Sequence, residues 1–175
     1  MKTSFLLLMI TSTLAFGQNK SGISNVNYSP AQFVQPINSL TTETALELAN
    51  RIRKTAFAME KSVSIAILDA SGTTVMLLRG NGVGPHNTEA SRRKAYTALS
   101  TKTPTLVLMR NAEKNPDTKN LNTLPELLLL SGGVPVWYQN NIIGSVGVSG
   151  GGSPENDDLI AKSATITELN ITTSK

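Results

Sequence analysis

Three groups of residues in this chain have the types and spacing to do chemistry. His86 is the only histidine. It closes the loop Arg79-Gly-Asn-Gly-Val-Gly-Pro-His86 and precedes a helix-like stretch. An imidazole there can bind a metal or haem iron, or exchange a proton near neutral pH; it equally suits a surface loop without a ligand. Arg92-Arg93-Lys94 follows on the expected helix. Neighbouring helical residues point about 100° apart, so one or two of these cations can meet a carboxylate or phosphate, but not all three; a solvated helix face is the plainer alternative. The third group is Gly144-Ser-Val-Gly147-Val-Ser-Gly150-Gly151-Gly152, leading into a helix start. Exposed N–H groups at such a start favour anions, while glycines also serve tight turns and close packing of strand on helix.

Other motifs are absent. No Gly-Lys-Ser/Thr follows the glycines, so this is not a Walker loop, and their spacing is not the dinucleotide fingerprint. Asp69, Asp157 and Asp158 lack EF-hand spacing or a histidine partner. Asp69 is expected to bind its own turn backbone, and the Asp157-Asp158 pair to favour a helix dipole.

The elements that must position these groups follow from periodicity. Thr41 or Thr42 can cap a helix running to about Lys61, with Ala45, Ala49, Ile52, Ala56 and Met59 on its apolar face, widened by Leu46, Leu48 and Phe57. Val63, Ile65 and Ile67 alternate as a strand, Asp69-Ala-Ser-Gly72 turns, and residues 73–78 return. Asn87 or Thr88 is expected to cap a second helix to about Leu99, with Glu89 in its first turn. Thr103-Pro104 starts a third helix, to about Glu113. Residues 114–126 are polar and broken by prolines; Leu127-Leu-Leu-Leu130 reads as a buried strand or turn. A second hairpin pairs Val134–Tyr138 with Ile142–Val148, with Pro135 at an edge or strand start. Ser153-Pro154 caps a last helix that fades near Leu169. Paired strands between helices give an α+β domain, an antiparallel sheet flanked by helices.

Composition narrows the classes further. Lys2, an apolar run from Phe5 to Ile10 and the small-x-small Ala15-Phe16-Gly17 read as a signal peptide over residues 1–17, with Gln18 first in the mature chain. The apolar run is too short to span a bilayer, which needs about 20 residues. Export to the periplasm or outside the cell is therefore expected. Residues 18–38, rich in Gln, Asn, Ser and Pro, form an irregular arm, and residues 39–170 a single domain. The chain has no cysteine, which excludes disulfides, thiolate metal sites and covalent c-type haem attachment. Lys2 is the leader's single charge, leaving 15 Lys and Arg against 12 Asp and Glu, a net +3. With 5% aromatic residues, neither charge nor stacking argues for nucleic acid.

Three ordered segments carry a family resemblance: Val63-Ser-Ile-Ala-Ile-Leu-Asp-Ala-Ser-Gly72; Gly84-Pro-His-Asn-Thr-Glu-Ala-Ser-Arg-Arg-Lys-Ala-Tyr-Thr-Ala98; and Gly132-Gly-Val-Pro-Val with Ile143-Gly-Ser-Val-Gly-Val-Ser-Gly-Gly151. Over roughly residues 40–168 the chain resembles the GlcG/HbpS-like family of haem-binding and glycolate-operon accessory proteins. The resemblance implies a profilin-like domain of two or three layers, a homo-oligomer, haem as ligand and, in some members, a membrane sensor partner. Many members carry a histidine where Thr73 stands, so a role for it does not transfer. His86 is the remaining imidazole; Tyr96, Met109 and Tyr138 are further conceivable iron ligands. On this reading the protein is an exported haem-binding, haem-sensing or storage protein. His86 would ligate iron, Arg92 or Arg93 would meet the propionates, and Gly147, Gly150 and Gly151 would offer backbone contacts. Two alternatives stand beside it. One is an enzyme acting on a small organic acid (a lyase, isomerase or hydrolase), with His86 as base and the glycine loop stabilising negative charge. The other is a ligand-free structural oligomer.

Overall fold

The computed structural model describes residues 29–174. The expected leader lies outside them, as does the expected arm as far as residue 28. The described residues fall into two units, 29–35 and 36–174. In the first, residues 29–35 hold one 3₁₀ turn, Pro30–Gln32, closed by Ser29 N–H donating to Gln32 Oε1 at 3.0 Å.

The second unit opens with helix α1, Thr42–Ala58, capped by Thr41 Oγ1, which accepts from Thr44 N–H at 3.2 Å. Its buried face is Ala45, Leu48, Ala49, Ile52 and Ala56, the three-and-four spacing of one helical side. Leu46 and Phe57 do not widen that face; they are 51% and 84% exposed. Strands β1 (Ser64–Asp69) and β2 (Thr74–Arg79) form the first hairpin. Asp69 Oδ1 accepts from Ser71 N–H and Thr73 N–H, both at 2.9 Å, which shapes its turn as expected.

Helix α2 runs Pro85–Thr101 and α3 runs Thr105–Lys114. The polar stretch after them holds a short helix α4, Pro116–Lys119, and a 3₁₀ turn, Asn120–Thr123. Strands β3 (Gly133–Tyr138) and β4 (Asn141–Ser149) make the second hairpin. Gln139 and Asn140 hold its two positive φ angles, +47° and +63°. Helix α5, Pro154–Lys162, is capped by Ser153 and ends seven residues before Leu169. A two-residue strand β5, Ile171–Thr172, follows and pairs with Trp137 and Tyr138.

The sheet is antiparallel throughout, in the order β2-β1-β4-β3-β5. Pro135 sits on the stretch of β3 whose outer side carries no partner strand. The two faces differ in kind. Ile65, Ile67, Val134, Val136, Val146 and Val148 meet α1 and α5 in the main core. The opposite face offers Ala66 and Leu68 to Ala95 of α2. Helix, sheet, helix is a three-layer α+β arrangement. Glycine sets the spacing on the α2 face: a Cβ at Gly147 would collide with the Ser91 carbonyl and stand 2.7 Å from Ala95 N. Burying a side chain such as Leu48 or Ile52 on the other face contributes about 1.5–3 kcal/mol each.

Candidate functional site

The chemistry-bearing segments meet at one end of the sheet, where β1 begins and β2 and β4 end. Helix α2 starts there three or four residues earlier than the expected caps, Asn87 or Thr88, suggest. Gly84 is the N-cap, with φ −60° and ψ 142°, and Pro85 takes the first helical position. Proline is preorganised for that place and lacks only an N–H that would be unpaired anyway. His86 is therefore an exposed residue of the first helical turn, not of the loop. Asn87 and Thr88 are released from capping. Asn87 Oδ1 accepts from Ser149 Oγ at 2.9 Å, and Thr88 Oγ1 lies 3.3 Å from Ser64 Oγ. Glu89 falls beyond the first turn and pairs with Arg92.

Arg92 and Arg93 are both half-buried and both engaged. Arg92 Nη2 reaches Glu89 Oε1 at 2.8 Å and Glu126 Oε2 at 2.9 Å. These bonds, Glu89's first, hold its guanidinium pKa above the usual value against partial burial. Arg93 Nη2 donates to the Leu127 carbonyl at 2.8 Å, and its buried Nε has no hydrogen-bond partner among the described residues.

Lys94 is the cation of this trio that the sequence reading did not single out as a site residue. It is buried, with its ammonium donating to the Val148 carbonyl at 3.0 Å, Ser149 Oγ at 3.1 Å and Asp157 Oδ2 at 2.8 Å. Burial pushes its pKa down, and Asp157 opposes that shift. A signal was present: Ser91, Lys94, Ala95 and Ala98 share the buried stripe of α2, at helical spacing. A lysine among small residues on that stripe must point inward. Of the three consecutive cations, Lys94 is the one that faces a buried carboxylate.

The glycine turn is built around that same carboxylate. Gly150 and Gly152 take φ +111° and +91°, angles that disfavour other residues. Gly151 N–H donates to Asp157 Oδ1 at 2.7 Å, and Asn156 Nδ2 donates to the Gly151 carbonyl at 2.9 Å. Asp157 lies in the first turn of α5, where negative charge also suits the helix dipole. Gly147 lies under α2, as its clash with the Ser91 carbonyl requires. The structure brings the His86 segment beside this turn: a Cβ at Gly150 would stand 3.4 Å from Val83 and 3.3 Å from the Ser62 carbonyl. Tyr96 packs beside Ala66, Leu68 and Ala95, and Tyr138 against the main core. Met109 lines a separate cavity of about 550 Å³ with Ala112, Pro116 and Leu129.

Next to the turn runs a groove of about 730 Å³, between α1 and the end of β2. Arg53, Lys54, Lys61 and Arg79 line it, with Phe57, Val63, Ile65 and Leu78 as apolar walls. Among the described residues no group of three or more His, Asp or Glu side chains could hold a metal ion.

Comparison with known proteins places this architecture. Residues 40–165 match the family model described as haem degrading protein HbpS-like. The chain belongs to the HbpS-like family. Crystalline HbpS superposes on this HbpS-like domain with a TM-score of 0.71 and 31% identity, covering 78% of this chain and 95% of HbpS. PduOC, solved in complex with haem, gives a TM-score of 0.68 and 27% identity, covering 78% of this chain and 99% of PduOC. A 15.0 kDa Citrobacter freundii protein encoded in the dhaT-dhaS intergenic region is 27% identical over 132 residues, covering 74% of this chain and 92% of that one.

Proposed function

We propose that this HbpS-like protein is exported and binds haem, with His86 as iron ligand. The observation that carries the reading is the position of the lone imidazole. His86 is exposed on the N-terminal turn of α2, at the end of the sheet that also carries the glycine turn and Arg53, Lys54, Lys61 and Arg79, cations without an ion-pair partner among the described residues. An accessible imidazole for iron and cations for two propionates are the groups such a ligand requires, so the residues present fit it. The family match and the haem complex of PduOC support the same ligand. Arg92 and Arg93 would meet propionates only by exchanging the carboxylate and carbonyl partners they already hold.

The organic-acid enzyme is the weaker reading. It needs free amides in the 147–152 loop to stabilise developing charge. Gly151 N–H is taken by Asp157, and Gly147 lies beneath α2. Haemin titration of the purified protein tests the proposal: the expected result is a saturable Soret band that shifts in His86→Ala. A spectrum identical in that variant removes His86 from the site, and no saturable band removes haem. Export predicts a mature N-terminus at Gln18, readable by sequencing the secreted protein. Homo-oligomer assembly and a membrane sensor partner belong to the same proposal. Exposed Leu46, Leu77 and Leu78 give subunits apolar surface to share, and a monomeric mass in light scattering would remove the oligomer.

A further inference from the structure

The turn that follows β2 holds a reactive pair. Asn81-Gly82 is the chain's single Asn-Gly sequence, and both residues are exposed. Val83 N–H donates to the Gly80 carbonyl at 3.2 Å and closes a turn with the pair at its centre. Gly82 takes φ +77°, and a Cβ there would meet nothing within 4 Å. Its N–H has no hydrogen-bond partner among the described residues, and neither has the Asn81 side-chain amide. Beneath the turn, Ser62 Oγ donates to the Asn81 main-chain carbonyl at 2.9 Å. Gly80 makes room for that contact, since a Cβ there would collide with Ser62 Oγ. Gly80 N–H also donates to the Val63 carbonyl at 3.0 Å, which pins the turn just ahead of β1.

We infer that Asn81 is a self-modifying site, which deamidates through Gly82 with Ser62 as the activating group. The Gly82 peptide nitrogen gives its proton to hydroxide and attacks Asn81 Cγ. That N–C bond forms and the Cγ–Nδ2 bond breaks; ammonia leaves, taking a proton from water, and a succinimide ring remains. Water then opens the ring at either carbonyl, giving aspartate or isoaspartate at position 81. Local features favour the first step. Glycine has no Cβ to obstruct ring closure. The Ser62 hydrogen bond stabilises the amidate, whose charge is shared with the Asn81 carbonyl oxygen. Asn81 and Ser62 line the groove that holds Arg53, Lys54, Lys61 and Arg79 and no carboxylate, so the local potential favours an anion. The product gives that groove a carboxylate. Isoaspartate also lengthens the main chain by a methylene, three residues before Gly84 caps the helix that carries His86. No step involves iron or a bound ligand, so the site stands whether or not haem binds.

Incubating the purified full chain in mildly alkaline buffer and mapping its peptides by mass spectrometry tests this. The amide-to-acid mass gain should appear first at Asn81, about tenfold ahead of any other asparagine, because no other is followed by a residue without a Cβ. The rate should rise with pH, and an isoaspartate methyltransferase should label the product. Ser62→Ala should slow conversion about threefold in the folded chain, the effect of losing one hydrogen bond. In urea, where that bond does not exist, parent and variant should convert at one rate. Asn81→Gln should abolish the label; urea melts matching the parent's establish that each variant is folded. Another asparagine converting as fast as Asn81 overturns the site, as does a label that persists in Asn81→Gln. A folded Ser62→Ala chain converting as fast as the parent or faster, or one slowed equally in urea, overturns the activation by Ser62.

Discussion

Replacing Asp157 by Asn removes one charge and little else. The amide oxygen can still accept from Gly151 N–H, as Oδ1 does at 2.7 Å. What is lost is the negative partner of the Lys94 ammonium, 2.8 Å away, with side chains 4% and 11% exposed. A buried cation without its counter-charge costs about 3–5 kcal/mol. That is a large share of a total stability of about 5–15 kcal/mol, and at roughly 2–4 °C per kcal/mol it lowers Tm by about 6–20 °C. The pH dependence gives the cost its signature. Burial holds the folded Lys94 pKa below the unfolded 10.5, against the pull of Asp157. Between those two values the unfolded chain binds more protons, so this group makes stability rise with pH. Without Asp157 the folded pKa falls further, and Lys94 sheds its proton at a lower pH. The variant's deficit relative to the parent must therefore shrink as pH rises. Urea unfolding at several pH values between 6 and 10, followed by circular dichroism, reads both effects. Removing both charges, in Lys94→Met/Asp157→Asn, should recover most of the loss. A cost below about 1 kcal/mol at pH 7, or a deficit that does not change with pH, would refute a buried charge pair as the basis of this junction.

Three further outcomes follow from local geometry. Gly147→Ala drives a methyl group into the Ser91 carbonyl and to 2.7 Å from Ala95 N, both backbone atoms that cannot rotate away; a loss of about 1–3 kcal/mol is expected in urea unfolding. Thr97→Val removes the acceptor of Leu128 N–H, now 2.8 Å from Thr97 Oγ1; it should cost about 1–3 kcal/mol and speed hydrogen exchange at the Leu128 amide. Partial burial pushes the Asp69 carboxyl up, but donors from Ser71, Thr73 and Gly72 outweigh it and hold its pKa below the ordinary 3.8. The stability this group contributes is present above the unfolded value and lost as pH falls through the folded one, so Asp69→Asn should flatten the acid limb of a stability–pH curve and leave the limb above pH 6 unchanged in slope.

Elements that announce themselves locally were legible; those completed by tertiary partners were not. The spacing of Ala45, Ala49, Ile52 and Ala56 and the Thr41 cap place α1 within a few residues. Leu127–Leu130 shows the opposite case. Its apolar run suggests a buried strand or turn; no strand forms, and Leu127 and Leu129 are buried in irregular backbone while Leu130 is half exposed. Two α2 side chains supply bonds a sheet would otherwise make: Thr97 accepts from Leu128 N–H and Arg93 donates to the Leu127 carbonyl. Strand β5 is hidden for a related reason. Two residues in a polar tail carry no periodicity, and the strand exists because Ile171 and Thr172 reach Tyr138 and Trp137. The groove was illegible because its cations come from α1, the turn after it and β2, which only the folded sheet brings together.

The glycine turn shows how a chemical signal can be right in kind and differently occupied. Glycines before a helix N-terminus do create an anion-binding hollow. Here the anion is the chain's own Asp157, neutralised in turn by Lys94. That arrangement ties α2, β4 and α5 together at one point, and Ser149 extends it to Asn87, the residue beside His86. The imidazole is thus mounted beside a corner held by a buried ion pair and its hydrogen bonds, while its own side chain stays exposed. A ligand arriving there meets polar groups already satisfied within the corner. Among the described residues, Arg53, Lys54, Lys61 and Arg79, which line the adjoining groove, are cations with no ion-pair partner of their own.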